Sequence, residues 1–194
     1  MELIAQPMDG RFVRLEPFEV RSKEEVLKAI DCDPETWAIM AVDPTGDPFE
    51  QYWSVARGAP PTDRIAFAVR RCSDGRVVGM SSLYASLASQ GGFKIGTTFL
   101  HPDVRGGPVN AEAKLMMLDH AFSLGAVRVQ FRVDTRNQRS LTAVAKLGIV
   151  REGVLRCDRM TWSGYIRDTV YFSILDWELP DVKFRLQQGL AESS

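Results

Sequence analysis

The sequence predicts a mixed α/β domain, and three observations carry that expectation. Strand-like runs joined by tight turns fill residues 65–100, an apolar-faced helical segment follows at 109–124, and a strand-like run resumes at 127–133. Consecutive short strands on tight turns make an antiparallel meander. A strand, a helix and a strand in succession need a right-handed crossover, so the runs at 93–100 and 127–133 should pair in parallel. The 194 residues are 45% hydrophobic, enough for one core, and a domain of this size buries roughly 70% of its unfolded surface. One domain over 1–194 is therefore expected, with its core at 11–177 and a terminal helix at 180–191.

Taken in order, residues 11–18 (RFVRLEPF) alternate apolar Phe12, Leu15 and Phe18 with charge, which reads as a first strand near a sheet edge, entered through the Asp9-Gly10 turn. Ser22 with Glu25 three residues on forms a capping-box pattern, and Val26, Leu27 and Ile30 give the buried stripe of a short helix ending by Asp33-Pro34. One or two short helices interrupted by Pro44, Gly46 and Pro48 follow, the second carrying Phe49, Tyr52, Trp53 and Ala56 at helical spacing. This region suits a flap over a substrate, and each aromatic also suits the core. Residues 65–71 and 77–84 are strands joined by Ser73-Asp74-Gly75, and the strand 93–100 (FKIGTTFL) follows Gly91-Gly92. The helix 109–124 turns Ala113, Met117, Ala121 and Leu124 to one face, with Leu115, Leu118 and Phe122 widening it. Residues 127–133 (VRVQFRV) alternate again, 141–147 are helical up to Gly148, and 149–155 and 169–175 are strands flanking Ser163-Gly164. The strands number about seven.

Acidic and basic side chains nearly cancel, 25 against 24, so no global field recruits nucleic acid or an anionic membrane surface. No run approaches the roughly 20 apolar residues that cross a bilayer, and the first residues lack a signal pattern. A cytoplasmic protein is expected. Cys32, Cys72 and Cys157 lie far apart with no CxxC pair, so no metal site or disulfide framework is indicated, and they read as small buried or half-buried thiols. His101 and His120 have no partner spacing for a metal or a Ser-His-Asp relay. Met116 and Met117 read as core.

The stretch 101–114 (HPDVRGGPVNAEAK) is the most informative. Gly106 and Gly107 allow close approach of a ligand, and the first helical turn presents free N–H groups and the positive dipole end, a site for an anion. Pro108 suits the first helical position, where an N–H is not needed. An ordinary strand-to-helix turn would use the same residues. Glu112 and Lys114 on the first turns read as solvated or salt-bridged, and Asn137 reads as the N-cap of the next helix.

This stretch resembles the acetyl-CoA pyrophosphate loop of the GNAT superfamily, and the order of elements from Arg11 to Trp177 matches that fold. Four segments in order, 101–114, Asn137-Gln138-Arg139-Ser140, Lys146-Leu147-Gly148 and 151–156 (REGVLR), resemble the RimJ/RimL-type branch. The resemblance implies that Arg105, Gly106, Gly107, Val109 and Asn110 surround the diphosphate of acetyl-CoA. It implies that the strand 96–100 pairs with the pantetheine arm, with an oxyanion donor at the backbone of Phe99 or Leu100. It places Asn137 and Ser140 beside the pantetheine end and gives Ser140 the general-acid position for the departing thiolate. Two departures stand out. Pro108 and Asn110 occupy places where the general pattern has Gly and Gly or Ala, and the glutamate that some ribosomal-protein acetylating relatives use corresponds to Arg159. Asp134 and Asp158 are then the candidate bases, each also readable as a salt-bridged or turn carboxylate.

The expected activity is acetyl transfer from acetyl-CoA to a primary amine of a small molecule, an amino acid or a protein N-terminus. A non-catalytic acyl-CoA-binding regulatory module is the alternative that Pro108 and the missing glutamate keep open. A dinucleotide-binding fold is excluded, since no G-x-G-x-x-G follows a first strand. No metal is expected, and Trp162, Trp177 and the last helix offer surfaces for a homodimer.

Overall fold

The computed structural model describes residues 2–86 and 90–192. Its strands are β1 (Met8–Asp9), β2 (Val13–Pro17), β3 (Arg64–Arg71), β4 (Val77–Tyr84), β5 (Gly92–Leu100), β6 (Arg128–Asp134), β7 (Val150–Met160) and β8 (Ile166–Leu175). Its α-helices are α1 (Lys23–Ile30), α2 (Pro34–Ala38), α3 (Phe49–Gly58), α4 (Pro108–Ser123), α5 (Gln138–Lys146) and α6 (Leu179–Ala191). One sheet of order β1-β2-β3-β4-β5-β6-β8-β7 joins the strands, and among the described residues only β5 and β6 run parallel. The meander and the parallel pair are present as expected, and the sheet has eight strands rather than about seven. The added one, β1, is two residues long, too short for alternation to reveal, and exists because Met8 and Asp9 pair with Leu15 and Arg14.

Side chains alternate between the faces of a strand, so each face of the sheet collects its own core. One face, with Leu15, Phe67, Phe93 and Phe131, packs against Met117 and Leu118 of α4 and Leu186 of α6. The other, with Ala66, Ala68, Met80 and Phe99, packs beneath α1, α2 and α3. There Trp37 stacks on Phe99 at 4.9 Å between ring centroids, and Phe18 stacks on Trp53 at 4.2 Å. Offset stacking adds about 0.5–1.5 kcal/mol per pair beyond burial, and it fixes α2 over the end of β5.

Three expectations are corrected. Ser22 does not cap α1 through its side chain. Its hydroxyl donates to the Glu19 carbonyl at 2.9 Å within the preceding 3-10 turn, while Glu25 pairs with Arg70 of β3, a charged partner stronger than a cap amide. The three cysteines are all exposed, Cys32 and Cys72 in turns and Cys157 at a bulge of β7 where φ is 50°. β7 continues past Leu155 to Met160 because that bulge absorbs the register shift against β8. Trp162 and Trp177 are exposed as expected, although the Trp162 indole also donates to the Trp37 carbonyl at 2.9 Å. Among the described residues no helix is long and apolar enough to cross a membrane.

Candidate functional site

β5 and β6 are paired only from Gly92 to Lys94 against Arg128 to Gln130. Beyond that point they diverge, and a cleft of about 230 Å³ opens between residues 95–100 and 131–134. Backbone groups of β5 that point toward β6 there lack a ladder partner, and unpaired backbone groups call for a replacement.

A bulge accompanies the divergence. The β4–β5 register slips between Met80 and Ser82, and Thr97 sits at φ 48°. Such an extra residue bends a strand and strengthens its twist. Hydroxyls brace the bulge: Tyr84 meets Thr97 at 2.6 Å, and Ser81 meets Thr98 at 2.8 Å. The Lys114 ammonium donates to Thr98 at 2.6 Å and to Ser81 at 3.3 Å. Contrary to the expectation of a solvated or salt-bridged side chain, Lys114 is only 7% exposed and bonds hydroxyls alone among the described residues, and burial pushes its pKa down to about 7. Glu112 is likewise buried, because the N-terminal segment folds over α4. Its carboxylate accepts from the N–H groups of Arg11, Phe12 and Val13 at 2.7–2.8 Å. A Cβ at Gly10 would come within 2.5 Å of that carboxylate, which explains the glycine.

At the wide end of the cleft β5 leads through a 3-10 turn (Pro102–Val104) into the loop 105–107 and then α4. Gly106 has φ +81°, a left-handed value natural to glycine. Gly107 is the N-cap, with no side-chain cap, and Pro108 opens the helix as expected. The N–H groups of Gly107, Val109 and Asn110 therefore precede the first intrahelical bond and face out of the helix end. Gly106 and Asn110 line the cleft, whereas Gly107 and Val109 border a second hollow of about 460 Å³ behind the loop. Arg105 ties the loop down, donating from Nε to the Leu100 carbonyl at 2.8 Å and pairing through Nη1 with Asp33 at 2.6 Å. Its Nη2 is buried without a hydrogen-bond partner among the described residues.

The opposite wall comes from β6 and α5. Asn137 caps α5 as expected, its Oδ1 accepting from the Ser140 N–H at 3.0 Å, and both residues line the cleft. Asp134 lines it too, buried, with Oδ1 accepting from the Arg136 N–H and Nε and Oδ2 accepting from Nη2 at 2.7 Å. Burial opposes its charge, but the Arg136 bonds outweigh that and hold the carboxyl below the ordinary aspartate range. Asp158 accepts from the Tyr171 hydroxyl at 3.1 Å and stands outside the residues lining the cleft. His101 bonds Asp103 at 2.6 Å and is also outside.

Of the residues singled out by sequence, Phe99, Leu100, Arg105, Gly106, Asn110, Asp134, Asn137 and Ser140 thus converge on one cleft. Sequence reasoning missed Thr36, Ile39 and Met40 in and just after α2, which roof the cleft, and Lys114, Arg132 and Arg167, which face it. Phe49 and Trp53, the aromatics of the expected flap, belong to the core.

The model of the acetyltransferase (GNAT) domain family matches residues 13–150. No curated protein matches the chain. Among solved structures, a GCN5-related N-acetyltransferase from Brucella melitensis is 27% identical, with a TM-score of 0.89 covering 98% of this chain and 87% of that one. A protein from T. thermophilus assigned as an acetyltransferase is 37% identical, with a TM-score of 0.84 over 97% and 98% of the two chains. RimJ of Mycobacterium smegmatis, solved with CoA-disulfide, is 23% identical with a TM-score of 0.76 over 91% and 88%, a likeness of fold. The sheet with its single parallel pair is the GNAT fold, and the chain belongs to the GNAT acetyltransferase domain family.

Proposed function

We propose that the protein transfers the acetyl group of acetyl-CoA to a primary amine, on a small molecule, an amino acid or a protein N-terminus, in a ternary complex of the RimJ/RimL type. The observation that carries this reading is the gap between β5 and β6 that runs onto the loop at Arg105 to Asn110. Acetyl-CoA fits it by donor type: the pantetheine amides complement the unpaired edge of β5, and the diphosphate complements the N–H groups of Gly106, Gly107, Val109 and Asn110. The Nη2 of Arg105, buried and without a partner among the described residues, adds a charged donor beside that loop. When bound, acetyl-CoA supplies an activated thioester.

In this reading the chain's own residues do the rest. Backbone N–H near Phe99 and Leu100 stabilises the oxyanion as the amine nitrogen attacks the carbonyl carbon. The C–N bond forms, the C–S bond breaks, and the Ser140 hydroxyl gives its proton to the departing thiolate. The amine proton leaves through solvent and restores Ser140. Asn137 fixes the first turn of α5 so that Ser140 faces the thiol. Asp134, ionised by Arg136, attracts the incoming amine rather than acting as a strong base, and Asp158 takes no part.

One observation favours the alternative of a regulatory acyl-CoA-binding module: the carboxylate lining the cleft is occupied by Arg136. Incubation with acetyl-CoA and an amine panel separates the two. The enzyme reading expects free-thiol release matched by acetyl mass gain on an acceptor, and CoA binding without any acetylated acceptor would establish the module instead.

A further inference from the structure

Strand register gathers positive charge on one face of the sheet beside the cleft. Lys94 pairs with Tyr84 on β4, Arg132 with Tyr171 on β8, and Arg159 with Arg167 across β7 and β8. Alternation places Lys94, Arg132 and Arg167 on the same face as Asp134, opposite the Phe131 and Phe172 side. Arg132, Arg167 and Asp134 all line the cleft. Arg167 is only 7% exposed, and its Nε and that of Arg132 are buried without a hydrogen-bond partner among the described residues.

Nearby anions do not neutralise this cluster. Asp134 is held by Arg136, Asp158 accepts from Tyr171, and Glu152 is engaged by Arg128 and Ser173. Lys94 records the imbalance: burial, and then the fields of Arg132, Arg159, Arg64 and Arg167, lower its pKa to about 8. Arg132 Nη2 does reach Gln130 Oε1 at 3.2 Å, but a buried guanidinium N–H without an acceptor is costly, so the orphaned Nε groups of two cleft-lining arginines mark a place for a ligand oxyanion.

We infer that Arg132 and Arg167 form an acceptor subsite for an oxyanion, a carboxylate or a phosphate ester, carried by the same small molecule as the reacting amine. The inference rests on the acetyl-transfer reading and narrows its substrate class. Planar guanidinium forks match carboxylate and phosphate geometry. Asp134, two residues along β6 from Arg132 and so roughly 7 Å away on the same face, meets the amine end. A bipolar acceptor fits this pattern, while polyamines meet like charge and are rejected.

The test compares matched acceptors in the acetyl-CoA assay: L-alanine and L-phenylalanine against their amides, O-phosphoethanolamine against ethanolamine, and spermidine. The amino acid pairs and the phosphate pair distinguish the two oxyanion sources. At least one anionic member is expected to exceed its neutral partner by about 30-fold in kcat/KM, as for a buried charge-assisted contact. Arg167→Gln should remove that preference mainly through KM, Arg167→Lys should retain part of it, and Arg132→Gln should repeat the loss. Equal use of neutral partners, use of spermidine, or a preference untouched in both glutamine variants would overturn the subsite. If no amine is acetylated, acetyl transfer fails on its own account, and calorimetric titration with N-acetylalanine, N-acetylalaninamide and N-acetylphosphoethanolamine decides the subsite. Binding of an anionic product by the wild type and not by Arg167→Gln supports it, and no anion-selective binding overturns it. A tenfold loss of CoA affinity in Arg167→Gln would assign the arginine to the cofactor and also overturn it.

Discussion

Replacing Gly107 by Val separates cofactor capture from folding. Its neighbour Gly106 sits at φ +81°, so a side chain there strains the backbone and confuses the two effects. Gly107 instead has φ −92° and ψ −170°, an extended conformation open to any residue. A Cβ at this position would meet only the Val104 carbonyl, at 3.6 Å, an ordinary contact. The cost to the free protein is then that of a poorer N-cap, at most about 1 kcal/mol, or a fall of roughly 2–4 °C in melting temperature for a chain of this length. A bound diphosphate, by contrast, must come within hydrogen-bond distance of the N–H groups of Gly106, Gly107, Val109 and Asn110, and the branched side chain would hold it off. Losing one or two charge-assisted bonds, each worth about 1.5–3 kcal/mol, should weaken CoA binding by about 10-fold to 20,000-fold. Calorimetric titration of CoA alongside ligand-free melting reads both quantities. A CoA affinity within about threefold of the wild type, with the variant folded, would refute the placement of the diphosphate on this loop.

Ser140→Ala should leave CoA affinity nearly unchanged and lower turnover by about 100-fold, and an unaltered rate would remove Ser140 from thiolate protonation. Glu112→Gln replaces a carboxylate that accepts three backbone N–H groups by an amide that brings donors of its own. A loss of about 2–4 kcal/mol in urea unfolding is expected, and a change under about 0.5 kcal/mol would contradict the role. Lys114 has a native pKa of about 7 and Lys94 one of about 8, both below the unfolded lysine value of about 10.4. Between pH 7 and 10 the unfolded chain therefore binds more protons, so stability should rise with pH, by at most about 1.4 kcal/mol per unit for each group. Urea midpoints at pH 7 and 9 should show this rise and its reduction in Lys114→Met; an identical slope in that variant would show that Lys114 stays charged.

The elements set by local patterns were legible in the sequence: the meander with its tight turns, the apolar α4 helix with its Pro108 start, and the Asn137 cap. Features decided at long range were not. Glu112 looks solvated on its own helix because the amides that bury it lie about 100 residues earlier in the chain. Lys114 is buried by hydroxyls on β4 and β5 that only the Thr97 bulge brings together. β7 is exposed along nearly its whole length, so no alternation extends it past Leu155. The polar positions of VRVQFRV did carry a signal, since Arg128, Gln130 and Arg132 alternate on one face. Only the pairing with β8 adds Arg167 to that face.

In the proposed function one cleft holds acetyl-CoA in two parts, the pantetheine arm along β5 and the diphosphate on the loop. Backbone amide spectra of the isotopically labelled protein, titrated first with pantetheine and then with CoA, test it directly. Pantetheine should move the amides of residues 96–100, and CoA should in addition move Gly106, Gly107, Val109 and Asn110. CoA shifts that bypass this loop, or that fall instead on the β3–β4 turn behind it at residues 71–73, would contradict this placement of the cofactor.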